Sequence, residues 1–160
     1  MSTRVMVDMS ATLLHHGHIR LLRKAAKYGE VVVGLSTDED IEKYKGHIPL
    51  LTWKFRKEIL ESIRYVSEVV RTPYFITNAV LDEHGAKYLI HGADNLNTVS
   101  KDRLIVFPRT PEISSNMLVE YNRKYKFIKH STSSESVAKM NYRAQIAIIP
   151  DSKITQHTGN

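Results

Sequence analysis

The chain has 160 residues, of which 42% are hydrophobic and 25% charged, with 5 Pro and 7 Gly; this is ordinary globular composition and excludes a collagen-like, coiled-coil or disordered chain. It contains no Cys, so disulfides, thiolate metal sites and cysteine nucleophiles are excluded and any catalysis rests on His, Lys, Arg, carboxylates or hydroxyls. Lys and Arg number 23 against 17 Asp and Glu, a net charge of +6, which attracts polyanions such as nucleotides, nucleic acid or acidic lipids.

Val5 to Asp8 (VMVD) is short and β-rich and predicts a first strand, followed by a loop and the helical pattern GHIRLLRKAAKYG. Arg20, Arg23, Lys24 and Lys27 share one face of that pattern and read as solvated positions. Gly29 stands where a helix C-cap glycine is expected, and Val31 to Leu35 (VVVGL) is almost continuously apolar, as a strand buried on both faces requires. Ser36 and Glu39 have capping-box spacing and predict a short helix to about Tyr44, after which KGHIPLL predicts a loop. A longer helix is expected from about Thr52, with Lys54, Lys57, Glu58 and Glu61 outward and Phe55, Ile59, Leu60 and Ile63 inward. Arg56 falls with the inward set, so it is either a structural ion pair or a group aimed into a site.

Val66 to Val70 predicts a strand, Asn78 to about His84 a helix, Tyr88 to His91 and Leu104 to Phe107 two more strands, and Ser115 to Tyr125 a helix. Such alternation specifies an α/β, Rossmann-like, open and mostly parallel sheet flanked by helices, with ligands at the carboxyl ends of the strands. After Lys129 the chain turns polar (HSTSSES), with one apolar patch at Ile146 to Ile149. The expected organisation is a domain over 1–129 and a partly flexible C-terminal extension over 130–160. No uncharged apolar run approaches the roughly 18 residues of a bilayer span, and the first residues lack a signal-peptide core, so a cytoplasmic location is expected.

His15, His16, Gly17 and His18 fall where the first loop enters the first helix. Free N–H groups at a helix N-terminus bind phosphate oxygens, and His15 and His18, three apart, share one side of the first turn while His16 faces elsewhere. A chance cluster and an i, i+3 metal site remain open on spacing alone.

Five segments in order, LLHHGHIRLL, VVVGLSTDE, KEILESIRYVSEVV, HGADN and PRTPEISSN, resemble the HxGH nucleotidyltransferases, and within them the cytidylyltransferases that activate glycerol 3-phosphate, phosphocholine or phosphonates. The resemblance covers Val5 to about Tyr125 and leaves the tail aside. It implies in-line attack of an acceptor phosphate or phosphonate oxygen on the α-phosphorus of CTP, with pyrophosphate leaving and Mg2+ delivered with CTP. By correspondence with the motifs, the implied catalytic residues are His15, His18, Lys45 and Arg109. The implied nucleotide-binding residues are Met9, Ser10, Gly17, Gly92, Asp94, Thr110, Ser114 and Ser115, and Arg64 and Glu112 are implied at the acceptor. Lys43 and Lys45 as plain loop charges, and Arg109 as a partner of Glu112, stay open as alternatives.

The chain departs from the family pattern at Thr12, where the family usually has Asp, at Ala93 for the first Asp of HGDD, at Glu112 for a Gly and at Asn116 for a hydroxyl residue. The missing carboxylates argue against a tightly caged metal. Related enzymes are commonly homodimers, and neither nucleic acid nor membrane is an implied partner. The MSA segment and HGADN resemble the phosphonate-activating branch more than the glycerol phosphate branch. The rivals are an ATP-dependent adenylyltransferase of the same superfamily and a noncatalytic nucleotide- or RNA-binding domain.

Overall fold

The structure is a computed structural model that describes residues 2–125; the expected extension over 130–160 lies outside the described residues. Its strands are β1 Arg4–Met9, β2 Glu30–Ser36, β3 Glu68–Thr72, β4 Tyr88–Gly92 and β5 Leu104–Phe107. Its helices are α1 His16–Ala25, α2 Asp38–Lys45, α3 Trp53–Glu61, α4 Asn78–Glu83 and α5 Ser115–Tyr125. All strand pairs are parallel, in the order β3-β2-β1-β4-β5, which is the expected Rossmann-like sheet.

Side chains alternate across the pleat, so β1 feeds two cores. Val5, Val7 and Met9 pack with Leu22 and Ala25 of α1 and Leu60 of α3, whereas Met6 packs on the other face with Ile76, Leu81 of α4 and Leu89. Asp8 follows Met6 by two residues and so ends that second face at the carboxyl end of the strand. Glu30 apart, β2 is buried along its whole length, as its unbroken apolar run requires.

Three local expectations are corrected. Helix α1 is capped by Ala26 in right-handed geometry; Gly29 lies three residues later, at φ 156°, where a Cβ would stand 1.9 Å from the Thr3 carbonyl oxygen. The N-cap of α2 is Thr37, whose hydroxyl accepts from Asp40 N–H at 3.0 Å, and not Ser36, which is still in β2. Ile59, expected inward, is 42% exposed, and the buried stripe of α3 is Arg56 and Leu60.

From β1 the chain runs to β2 and β3 on one side, and β4 and β5 lie on the other, so the strand order reverses between β1 and β4. Ligands of open α/β sheets bind at that switch point. The β1–β2 ladder extends from Arg4–Glu30 to Met9–Leu35, but β1–β4 pairs only at Val5–Tyr88 and Met6–Leu89. Beyond that ladder, the strand ends carrying Asp8 and His91 border a cleft. Among the described residues no helix is long and apolar enough to cross a membrane.

Candidate active site

The cleft has a volume of about 910 Å³ and is walled by the β1–α1 loop, the end of α2 with the loop after it, and the segment from Phe107 into α5. It gathers the expected residues His15, His18, Lys45 and Arg109, together with Met9, Ser10, Gly17, Gly92, Asp94, Thr110, Ser114 and Ser115. Arg64 and Glu112 are not on its wall. Arg64 is exposed just past α3. Glu112 is exposed with φ 63°, the left-handed conformation that glycine adopts without strain and that accounts for a glycine being usual there. The open alternative of an Arg109–Glu112 pair is replaced by Arg109–Asp94 at 2.7 Å.

The two motif histidines cap their own helix. His15 Nδ1 accepts from Gly17 N–H at 3.1 Å, and His18 Nδ1 accepts from His15 N–H at 3.2 Å. These reciprocal bonds satisfy two free donors of the first turn. They also assign the tautomer: with both Nδ1 atoms accepting, each neutral ring carries its hydrogen on Nε2. Burial, then the neighbouring His15, lowers the His18 pKa to about 4; burial, then His16, lowers that of His15. At neutral pH His18 is an uncharged donor in the cleft, suited to a phosphoryl oxygen and unsuited to holding a metal through Nδ1.

Gly17 makes this geometry possible, because a Cβ there would lie 2.8 Å from His15 Cε1 and 2.9 Å from its Nδ1. The ring can turn away, so Gly17→Ala should fold with little change in Tm. It should lose roughly 10-fold or more in kcat through misplacement of His15, which steady-state rates beside thermal melts will check.

The opposite wall is held by α5. Ser114 is its N-cap, its hydroxyl accepting from Met117 N–H at 3.1 Å, while Ser115 Oγ donates to the Leu13 carbonyl at 3.1 Å and ties the helix to the β1–α1 loop. Behind that loop, Arg56 is 1% exposed and donates to the carbonyls of Ser10, Ser36 and Leu51 and to Asp38. Of the two readings open for Arg56, the structural one holds.

Sequence reasoning missed the floor of the cleft, formed by Asp8, His91, Asn97 and Tyr74. Asp8 is 11% exposed in its side chain. Its Oδ2 accepts from Asn97 Nδ2 at 3.0 Å, and its Oδ1 has no hydrogen-bond partner. Burial raises the Asp8 pKa above the ordinary carboxylate value, against the opposing pull of His91 and the Asn97 hydrogen bond. Tyr74, raised by burial and then by Asp8 and Asp94, stacks on Tyr44 at 4.8 Å between ring centres. The available signal was positional: Asp8 is a carboxylate at the carboxyl end of a first parallel strand, the ligand end of such sheets.

A family model described as Cytidylyltransferase-like matches residues 11–146. The chain belongs to this family. The cytidylyltransferase-like chain is 39% identical over 98 residues to the ethanolamine-phosphate cytidylyltransferase of Mus musculus, covering 60% of this chain and 24% of that protein. It is 44% identical over 68 residues to the glycerol-3-phosphate cytidylyltransferase of Staphylococcus aureus, covering 42% and 51% of the two chains. It thus spans about a quarter of the first relative and about half of the second. A lipopolysaccharide core biosynthesis protein from Thermoplasma volcanium shares the fold, with a TM-score of 0.59 at 20% identity over 69% of this chain and 99% of that one.

Proposed function

We propose that this cytidylyltransferase-like chain transfers CMP from CTP to a small phosphate-bearing acceptor and releases pyrophosphate. The acceptor oxygen forms the new bond to the α-phosphorus as the bond to the β,γ-pyrophosphate breaks. The observation that carries the reading is the pair of neutral, backbone-locked histidines at the start of α1, beside Lys45 and Arg109 in one cleft. Fixed donors and cations of this kind stabilise charge that grows on the phosphoryl oxygens in the transition state, and need no protein nucleophile.

Among the described residues no group of three or more His, Asp or Glu side chains is placed to hold a metal ion. Asp8 and Asp94 are instead engaged by Asn97 and Arg109. That donor set fits Mg2+ carried by the triphosphate and its waters, which is how this ion commonly reaches such sites. Bound there, it would neutralise phosphate charge.

The acceptor we propose bears an amine. Asp8 presents a buried carboxylate oxygen without a hydrogen-bond partner at the cleft floor, and a buried carboxylate is stabilised by a cation that bonds to it. Phosphoethanolamine fits this demand, as the name of the mouse relative also suggests, and 2-aminoethylphosphonate offers the same head group on the phosphonate side. Glycerol 3-phosphate and 2-hydroxyethylphosphonate lack the charge. The proposal includes a homodimer, for which light scattering gives the mass, and a domain limit near residue 129.

The test is pyrophosphate release with CTP, Mg2+ and each of these acceptors, with phosphocholine added and ATP as a parallel donor. Turnover with CTP and an amine-bearing acceptor is expected. Turnover only with glycerol 3-phosphate would overturn the acceptor, and turnover only with ATP would overturn the donor. Absence of turnover with every pair would overturn the activity.

A further inference from the structure

Asn97 joins three pieces of the chain through one side chain. Its amide oxygen accepts from Ile76 N–H at 2.7 Å, and its amide nitrogen donates to Asp8 Oδ2 at 3.0 Å and to Asn95 Oδ1 at 2.9 Å. A backbone N–H only donates and an ionised carboxylate only accepts, so the two ends of this amide are assigned. These bonds tie the loop after β4 to the β3–α4 connection and to the carboxyl end of β1.

The loop that carries Asn97 is anchored without this side chain. Thr98 N–H donates to the Ile76 carbonyl at 3.2 Å, and Thr77 and Thr98 form a parallel bridge. Ser100 donates from both its N–H and its hydroxyl to Asn78 Oδ1, each at 3.2 Å. What the Asn97 amide adds is therefore a hold on Asp8. Among the described residues it is the side chain hydrogen-bonded to that carboxylate; His91 Nε2 stands 3.6 Å from Oδ1, beyond normal hydrogen-bond distance. Rotation of a carboxylate about its last bond is soft, so without a partner its plane turns readily. Burial raises the Asp8 pKa, and the Asn97 bond pulls the other way, towards the charged form that an ammonium group requires.

We infer that Asn97 is a positioning residue for the acceptor, clamping the Asp8 carboxylate in the plane in which it receives an N–H of the acceptor's ammonium group. The inference rests on the amine-acceptor reading above. A hydrogen bond between an ammonium and a carboxylate is strong only when donor and acceptor are aligned. Asp8 supplies the charge and Asn97 its direction, both at the cleft floor. Asn97 acts through Asp8 and not on the reacting atoms.

Asn97→Ala should raise the KM for phosphoethanolamine by about tenfold, the usual weight of one hydrogen bond to a charged group. The kcat and the KM for CTP should change less, and far-UV circular dichroism should be kept. Pyrophosphate release with CTP and Mg2+ measures all three constants. The same substitution is then made in Asp8→Asn, where the charge is gone. There Asn97→Ala should lower kcat/KM for phosphoethanolamine far less than it does beside Asp8, because residues that act as one unit are not additive. A purely structural role gives equal losses in the two backgrounds, and that result would overturn the inference. An unchanged KM in Asn97→Ala, with a raised KM in Asp8→Asn, would also overturn it and leave the amine-acceptor reading standing. An unchanged KM in Asp8→Asn would overturn both. Should Asn97→Ala fail to fold, a crystal structure of the wild-type chain with phosphoethanolamine decides the matter. The ammonium group and Asn97 Nδ2 should both lie on the Asp8 carboxylate, and a carboxylate turned away from Asn97 would overturn the inference.

Discussion

His18→Ala should lower kcat by roughly 100-fold or more while the protein still folds, the usual cost of losing one donor aimed at transition-state charge. The expectation follows from the bond that His18 Nδ1 accepts from the His15 backbone, which leaves Nε2–H as the only donor of the neutral ring in the cleft. KM for CTP should change less than kcat, because the interaction strengthens only as phosphoryl charge develops. Single-turnover rates with saturating CTP separate the two, and an unchanged kcat would remove His18 from the chemistry.

The same residue has a stability signature with a definite sign. Its pKa falls from 6.5 to about 4 on folding, so between these values the unfolded chain binds a proton that the folded chain does not. The stability His18 contributes is therefore complete above pH 6.5 and is lost as pH falls through this window towards 4, by up to about 3 kcal/mol before allowance for its partial contact with solvent. The alanine variant, lacking the group, should be less stable than wild type at pH 7 by about 1 kcal/mol for the lost cap. That gap should narrow or reverse near pH 4. Parallel urea titrations at the two pH values measure it.

The elements were legible where burial imposes continuity. Val31 to Leu35 suits a strand covered on both faces, which β2 is, and the limits of β5 and α5 coincide with their apolar patterns. The histidines were legible because their spacing and their backbone bonds belong to one helical turn. The Asp8–His91 pair was not, since 83 positions separate its members and only the adjacency of β1 and β4 brings them together. No local periodicity encodes that adjacency. Arg64 and Glu112 were placed at the acceptor through correspondence with family motifs. Arg64 is exposed just past α3, and Glu112 is exposed with a left-handed backbone; neither lies on the cleft wall. Correspondence transmits a position in the chain; it does not transmit where a side chain points.

Arg56→Met should destabilise the fold by about 3–5 kcal/mol, the range for removing one partner of a buried charged network. At roughly 2–4 °C per kcal/mol for a chain of this size, the thermal midpoint should drop by about 10 °C. Methionine fills much of the volume but donates nothing, so the carbonyls of Ser10, Ser36 and Leu51 and the Asp38 carboxylate all lose a donor. Arg56→Lys keeps the charge and still loses the planar fork that reaches several acceptors at once, so it should recover only part of the loss. The consequence extends to activity, because Ser10 lines the cleft and precedes Ala11, a non-glycine residue held at φ 47°. Backbone in that sparsely populated region persists only where its surroundings over-determine it. With the guanidinium gone, the β1–α1 loop should relax and the histidine turn that follows it should lose its register with the cleft. Below its lowered midpoint Arg56→Met should therefore retain near-native far-UV circular dichroism while kcat falls. A variant that melts early but keeps full kcat would show that the loop holds its shape without Arg56.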